Sequence, residues 1–263
     1  MGFSVTSRSQ FPRAATRSYV GSKSDAARWV RDTLRIQIMD GSLGAVQTGG
    51  HALPAERNLS VEYRVSRNVV RDALDLLRRE GLIARIPGVG TMLKNSKMCQ
   101  RLDQLEGLAE SLEGYHVSVD NTVLADRQVQ ANALVAQKLG VAEGSDVVFV
   151  ERLRIVDGTP FSLDDSYVRT DFAEALLEAD LDRKDLFSLL EEFQQEALGW
   201  AEVTIEAVAA DESIAEILQV QVASPLLLVQ RIIYQEDGTP LDLEVIRYRA
   251  DRFYLTSTLQ RSK

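Results

Sequence analysis

The chain has 263 residues, enough for two domains of ordinary size, and its 45% hydrophobic and 26% charged residues are typical of a globular protein. No apolar run approaches the roughly 18 residues that span a bilayer, so we expect no membrane partner. The single cysteine, Cys99, excludes an internal disulfide and fits a reducing cytoplasm. With only two histidines, we expect neither a metal site nor a cofactor.

The net charge of −9 is unevenly distributed along the chain. Residues 1–95 contain 15 Lys and Arg against 8 Asp and Glu, whereas residues 96–263 contain 15 against 31. A basic module joined to an acidic body is typical of a DNA-binding head on a regulatory domain, because only the surface that faces phosphate needs positive potential. Chance variation between small domains is the alternative, so the motifs have to distinguish the two.

The basic half divides into an arm and a compact head. Residues 1–23 are polar, with Gly, Ser and Arg interspersed, and we interpret them as a flexible basic arm. From Ser24, apolar residues recur every three or four positions until Gly41, which predicts an amphipathic helix. Pro54 is placed to begin a second helix, and Ser66 can cap a third. With two short strands around the turn at 87–90, residues 24–93 are predicted to form a winged helix-turn-helix.

The start of the third helix carries side chains suited to DNA. Arg67 and Arg71 are four residues apart and share a helix face, close to the N-terminal N–H groups that favour phosphate. Arginine binds guanine through two hydrogen bonds, and Asn68 suits adenine. The alternative is that both arginines are solvated charges, or that they pair with Glu56 and Asp72.

Residues 28–93 resemble the winged-helix domain of the GntR family of bacterial transcription regulators. The matching positions keep the family's spacing: Leu53-Pro54-x-Glu56-Arg57, Val65-Ser66-Arg67-x-x-Val70-Arg71-x-Ala73-Leu74-x-x-Leu77, Glu80-Gly81-Leu82-Ile83 and Gly88-x-Gly90-Thr91. The resemblance implies that the wing tip at Gly88 reaches the adjacent minor groove. It also implies a set of residues at the DNA: Arg57, Ser66, Arg67, Asn68, Val69 and Arg71.

Two positions depart from the family's pattern. Val89 stands at the wing tip where Arg or Lys is usual, so this wing contributes less positive charge. Arg64 stands in the turn where Gly is usual, at a position that favours positive φ and so stores some strain.

The acidic half contains an internal repeat. Residues 94–118 are interpreted as a linker and a short helix that ends at Gly114. Beyond them, residues 139–152 align without a gap onto residues 218–231, and each copy continues through Asp-Gly-Thr-Pro between two strands. Two units of a helix and a β-hairpin predict an antiparallel sheet with helices on one face, an α+β domain over residues 119–263.

This half resembles the UTRA effector-binding domain of the HutC-type GntR regulators, whose fold is like that of chorismate lyase. The resemblance rests on Glu151-Arg152-Leu153-Arg154, Asp157-Gly158-x-Pro160, Tyr167, Asp185-Leu186-Phe187-Ser188-Leu189-Leu190-Glu191, Asp237-Gly238-x-Pro240 and Tyr248-Arg249-x-Asp251-Arg252-Phe253. It implies a pocket that binds a small metabolite near Arg152, Arg154, Asp164 and Asp242 and changes the DNA affinity of a dimer.

The strand pattern points to the same pocket. Arg152 and Arg154 are two residues apart on a predicted strand, as are Asp242 and Glu244, so each pair projects from one face. A pocket lined by both pairs offers guanidinium groups for an anion and carboxylates for hydroxyl or amine groups. The alternative is that Arg152 forms a structural ion pair.

Two features disfavour a phosphate effector. Asp103 and Glu106 stand near the start of the short helix, where phosphate-binding relatives offer Ser or Thr, and a carboxylate there repels phosphate. Ala250 replaces the usual Gly of the Arg-Gly-Asp-Arg stretch. A neutral or zwitterionic effector, or none, stays open.

Three functions remain: an effector-controlled DNA-binding regulator, a chorismate-lyase-like enzyme, and a DNA-binding scaffold such as a plasmid-maintenance protein. The sequence offers no Ser/His/Asp or Cys/His set, because His51 lies in the head and His116 near the linker, so we expect no catalytic residue. One helix-turn-helix reads only a few base pairs, so we expect a homodimer on double-stranded DNA with a palindromic operator. We expect it to act as a cytoplasmic repressor.

Overall fold

A computed structural model describes residues 22–39, 42–43, 52–94, 97–115 and 117–261. The chain divides after residue 96 into two compact units. All of the expected basic arm except its last two residues lies outside the described residues.

The first unit is a three-helix bundle with a two-stranded wing. Its elements are α1 (Lys23–Met39), α2 (Glu56–Glu62), α3 (Arg67–Arg79), β1 (Ile83–Ile86) and β2 (Gly90–Leu93). Val30 and Leu34 of α1, Leu59 of α2 and Val70 and Leu77 of α3 are fully buried in one core. The helix-turn-helix and its wing are therefore confirmed as predicted.

Local signals explain where α2 and α3 begin and how the wing turns. The Ser66 side chain accepts a hydrogen bond from the N–H of Val69 and caps α3, as predicted. Helix α2 begins two residues after Pro54, because Ala55 takes the cap position. At the wing tip, the N–H of Val89 donates to the carbonyl of Ile86 across a turn in which Gly88 has φ +78°.

The second unit begins earlier than predicted. Residues 98–101 form strand β3 (Met98–Arg101), which pairs in parallel with β10 (Phe253–Thr256). The predicted linker is wrong over these residues, because Met98 is buried in the same hydrophobic cluster as Phe253. The short helix is confirmed, but α4 (Leu108–Leu112) begins at Leu108 rather than near Asp103, and it continues into a 3₁₀ turn over Glu113–Tyr115.

A six-stranded antiparallel sheet forms the centre of the second unit. Its strands are β4 (Val119–Gln130), β5 (Asp146–Val156), β6 (Thr159–Arg169), β7 (Trp200–Ala209), β8 (Pro225–Tyr234) and β9 (Pro240–Arg249), in the order β4-β5-β6-β9-β8-β7. Its helices are α5 (Ala133–Leu139), α6 (Ala173–Glu178), α7 (Leu186–Gln194) and α8 (Glu212–Ile217). The order is symmetric about the β6–β9 pair, so β4-α5-β5-β6 and β7-α8-β8-β9 are the two copies of the repeat.

The helices cover both faces of the sheet. Val147 packs against α5, and Leu163 on the same face packs against α8. Val148, which points to the opposite face, packs with residues of α6 and α7. The prediction of helices on one face holds for the two repeat helices and is wrong for the unit as a whole, because α6 and α7 lie in the segment between the copies.

Candidate DNA interface and effector site

The N-terminal end of α3 presents a polar surface. Ser66, Arg67, Asn68 and Arg71 are all exposed, and Arg57 of α2 is exposed as well. Val69 is different: it is 6% exposed and belongs to the core of the head. Its side chain packs inward because the helical period turns this position towards the core, and its contact with DNA stays a prediction.

The arginines of this surface differ in their partners. Arg71 Nε lies 2.8 Å from the Glu56 carboxylate, which joins α3 to α2. Arg57 and Arg67 form no ion pair with any residue that the structure describes. Two guanidinium groups are thus available, each in the first turn of its helix, where the free N–H groups favour anions.

The wing adds an exposed tip. Gly88 has open space around the position of a Cβ atom, so its positive φ, rather than crowding, favours glycine there. Val89 is 64% exposed and carries no charge.

The five residues of the expected effector site are brought together by one sheet face. Register places Arg152 opposite Asp164 across β5 and β6, and Glu244 opposite Ser166 across β6 and β9. All five are buried, with exposed fractions between 0% and 4%: Arg152, Arg154, Asp164, Asp242 and Glu244. We call these five, together with Asp185 and Arg231, the buried charge cluster.

Arg154 is fully engaged by neighbours in the cluster. Its Nε lies 2.9 Å from Asp164 Oδ2 and its Nη1 donates to Asn121 Oδ1 at 2.7 Å. Its Nη2 lies 3.6 Å from Asp185 Oδ2. Asp164 in turn accepts a hydrogen bond of 2.6 Å from the Ser162 hydroxyl.

Arg231 and Glu244 form a second buried pair. The Arg231 Nε lies 2.7 Å from Glu244 Oε2, and its Nη1 donates to the Glu106 carbonyl at 3.4 Å. The guanidinium also lies over the ring of Phe187, with 5.0 Å between Cζ and the ring centre.

Arg152 and Asp242 are the two members of the cluster that form no ion pair with a described residue, whereas Asp185 Oδ2 lacks a hydrogen bond but lies 3.6 Å from Arg154 Nη2. Within the described residues, the Nε and Nη2 of Arg152 and both carboxylate oxygens of Asp242 have no hydrogen-bond partner. Arg152 makes one long hydrogen bond, 3.5 Å from Nη1 to the Lys184 carbonyl. Because unpaired charges in a protein interior are costly, they point to a missing partner.

The pKa shifts in the cluster reflect these differences. Burial and the nearby Arg154 lower the pKa of Arg152 to about 10, whereas Asp185 and Asp164 more than offset burial and raise the pKa of Arg154. Burial, with Glu244 beside it, raises the pKa of Asp242 well above its usual range. Despite burial, Arg154 and Arg152 lower the pKa of Asp185.

Sequence reasoning missed Arg231 and Asp185. Arg231 is the partner of Arg152 in the sequence repeat, so the alignment contained the signal. Asp185 caps α7 by accepting from the N–H of Phe187, and the same carboxylate reaches Arg154. A helix cap by itself does not indicate this second contact, although Asp185 begins one of the segments on which the resemblance to the UTRA domain rests.

The described residues hold no group of three or more His, Cys, Asp and Glu side chains arranged to bind a metal ion. In the same part of the chain, no helix is long and apolar enough to cross a membrane.

A winged helix-turn-helix joined to a domain with a buried charge cluster defines a DNA-binding regulator with an effector domain. Residues 26–93 match the family model of bacterial regulatory proteins, gntR family, and residues 115–254 match the UTRA domain. The chain belongs to the gntR family, in its HutC-type branch, which carries a UTRA domain.

Known relatives share this organisation over most of their length. The transcriptional repressor NagR of Bacillus subtilis is 26% identical over 88% of this chain and 93% of its own. A probable repressor of the fructoselysine utilization operon of Escherichia coli is 25% identical over 85% of this chain and 92% of its own. Among solved structures, PhnF from Mycobacterium smegmatis covers 89% of this chain and 100% of its own, with a TM-score of 0.64 and 25% identity.

These similarities remove one of the three functions left open by the sequence. The relatives are named as transcriptional regulators, so the chain is a transcriptional regulator and the chorismate-lyase-like enzyme is set aside.

Proposed function

We propose that this regulator binds a palindromic operator as a homodimer in the cytoplasm and represses transcription until a small molecule enters the buried charge cluster. The observation that carries the proposal is the unpaired Arg152 and Asp242 in a cluster whose other charges are paired. A ligand that supplies their missing partners stabilises one arrangement of the protein, and only such differential binding alters DNA affinity. The names of the Bacillus subtilis and Escherichia coli relatives support repression.

For the DNA contact, we assign base reading to Arg67 and Asn68, and phosphate or base contacts to Arg57, Ser66 and Arg71. Exposure of all five side chains supports this assignment. Arg71 has to leave or share Glu56 to reach DNA, so its contribution is smaller than that of Arg67. The wing tip at Gly88 contributes backbone contacts, because Val89 brings no charge.

For the dimer, we assign the contact to strand β7. It lies at one edge of the sheet, and Val203 and Ile205 expose 39% and 41% of their surface. At the other edge, the N–H of Val123 donates to the Asp182 carboxylate, which occupies part of the β4 edge. A regular edge strand favours pairing with a second copy.

The test is an operator titration with the full chain. Footprinting on the DNA that flanks the gene for this chain supplies the operator, and titrations are repeated with hydroxy acids, amino acids and sugar phosphates. We expect one class to change operator affinity by roughly 5- to 150-fold, and Arg152→Met to bind the operator normally but not to respond. A wild-type chain that binds no flanking DNA, or an unchanged response in Arg152→Met, contradicts the proposal.

A further inference from the structure

The pseudosymmetry of the sheet leaves one arginine without its partner. Arg152 and Arg231 are equivalent in the repeat, and each faces an acidic residue across a hairpin, Asp164 or Glu244. Arg231 binds Glu244 at 2.7 Å, but Asp164 binds Arg154 instead, at 2.9 Å. The guanidinium of Arg152 is therefore left with no acidic group within ion-pair distance among the described residues.

The unpaired atoms of Arg152 define the shape of the missing group. Nε and Nη2 lie on one edge of the planar guanidinium and donate side by side, which matches the two oxygens of a carboxylate. The side chain is 1% exposed, so bulk water does not satisfy these donors. An acceptor with two parallel oxygens fits this edge.

Asp242 defines the second feature. It is fully buried, and both oxygens lack a donor among the described residues. It lies on the same sheet face as Arg152, and Arg152 is one of the charges that act on it. The missing group therefore carries a hydrogen-bond donor as well as the paired acceptor.

Asp185 limits the charge that the cluster accepts. Its carboxylate lies 3.6 Å from Arg154 Nη2 and is close to the start of α4, where a Cβ on Gly107 would lie 2.9 Å from it. The neighbouring carbonyl, that of Lys184, accepts from Arg152. The positive charges of Arg154 and Arg231 are thus already offset by the carboxylates of Asp164, Asp185 and Glu244. A ligand with two negative charges would place the second charge against Asp185 and Asp242.

We propose that the cluster binds a small monocarboxylate that also carries a hydroxyl or ammonium donor, with its carboxylate on Nε and Nη2 of Arg152 and its donor on Asp242, and that Asp185 excludes phosphate esters. The regulatory meaning of this ligand class rests on the proposed function, but its binding does not.

The first experiment measures binding to the full wild-type chain by calorimetry and thermal shift. The probes are lactate, 3-hydroxybutyrate and the standard amino acids, the amides of those that bind, inorganic phosphate and glucosamine 6-phosphate. We expect at least one hydroxy or amino acid to bind, its amide to bind about ten- to a hundredfold more weakly, and neither phosphate to bind. Binding of a phosphate as tightly as any carboxylate, or no carboxylate binding, overturns the proposal.

The second experiment changes the selectivity. Asp185→Asn removes the charge and keeps a good helix cap, so we expect it to gain binding of inorganic phosphate. Asp211→Asn makes the same change at the exposed cap of α8, outside the cluster, and should leave all binding unchanged. Equal phosphate binding by the two variants contradicts the role of Asp185. If Asp185→Asn fails to fold, the binding of carboxylates and phosphates by the wild-type chain tests the proposal.

Operator titration with the same probes separates this inference from the proposed function. A monocarboxylate that binds without altering operator affinity leaves the ligand class standing and contradicts effector control. A phosphate ester that releases the operator from the wild-type chain does the reverse.

Discussion

At the scale of single residues, two arginines on one strand have opposite roles. Arg154 holds Asp164, Asp185 and Asn121, so its loss leaves buried carboxylates unpaired. Arg152 holds only a distant carbonyl, so its charge is itself unpaired.

We therefore predict that Arg154→Met lowers the free energy of unfolding by about 3–5 kcal/mol, whereas Arg152→Met changes it by no more than about 1 kcal/mol. Denaturant unfolding of both variants beside the wild type measures the difference. The two substitutions are matched in size and burial, so equal losses would mean that the partners drawn here do not determine stability.

Asp242 gives the cluster a dependence on pH. Burial and Glu244 raise its pKa, against the opposing effect of Arg231 and Arg152. A carboxyl whose pKa is raised by folding contributes its full stability below its ordinary pKa of 3.8 and loses it as the pH rises through the folded value.

We predict that Asp242→Asn is more stable than the wild type at neutral pH, and that its advantage shrinks as the pH falls towards 3.8. The limiting slope of the difference is about 1.4 kcal/mol per pH unit. Unfolding titrations across this range provide the measurement, and a constant difference between the two proteins contradicts the raised pKa.

Strand alternation alone was enough to place Arg152, Arg154, Asp242 and Glu244 on one buried face. Alternation does not predict which of these charges form ion pairs. The pairing depends on how far each side chain extends towards the neighbouring strands, and on Asp185, which lies outside the sheet. Val69 is a different case. Its inward orientation follows from the helical period, whereas only the family resemblance placed it at the DNA.

At the scale of elements, the two copies of the repeat share their backbone conformation as well as their sequence pattern. The aligned positions after α5 and α8 both use left-handed φ: +65° at Gly140 and +52° at Gln219, then +80° at Gly144 and +65° at Ala223. The second copy thus forms the same turn with non-glycine residues, for which a left-handed φ is unfavourable by about 1 kcal/mol each.

We predict that Ala223→Gly raises the free energy of unfolding of the second unit by about 0.5–1 kcal/mol, while Gly144→Ala lowers it by at least as much. Both positions are exposed, and no atom lies within 4 Å of a Cβ at Gly144, so strain alone changes. Chemical denaturation followed on the full chain measures both. Destabilisation by Ala223→Gly would contradict the account.

Helix α3 offers a matched pair of arginines for testing the assigned DNA contact. Arg67 lies at its N-terminal end and Arg79 at its C-terminal end, and both are exposed. We predict that Arg67→Ala weakens specific operator binding by about 1–3 kcal/mol and nonspecific binding less, while Arg79→Ala affects neither. Titrations on operator and on scrambled DNA at one salt concentration measure both terms. Equal loss on the two DNAs would contradict base reading by Arg67.

Element prediction succeeded where turn chemistry and apolar period agreed, as at Ser66 and in the two hairpins. It failed at β3, since a parallel partner 155 residues later in the chain, Met98 opposite Phe253, leaves no local signal. Polar composition there favoured a linker, and only long-range pairing reveals a strand.

At the scale of the whole molecule, an operator contact by one head is too short for specificity, which is why we propose a dimer. The two edges of the sheet differ in how readily each could pair with a second copy of the chain. Strand β4 is interrupted by a register shift between Val123 and Ala125 and is bound from outside by Asp182, whereas β7 pairs continuously with β8. A bulged, covered edge resists pairing and a regular one favours it.

We predict a particle of about 58 kDa in solution, twice the 29.2 kDa of one chain, at micromolar concentration. Ile205→Lys on β7 places a charge in the assigned contact and should shift the particle towards the monomer. Leu124→Lys on β4, a residue equally exposed at 42%, should leave the dimer intact. Sedimentation equilibrium of the three proteins measures both effects.

Because the heads depend on the dimer for a palindromic site, Ile205→Lys should also lose operator affinity while still binding a ligand at Arg152. Dissociation by Leu124→Lys alone would move the contact to β4, and a wild-type monomer would contradict the dimer itself.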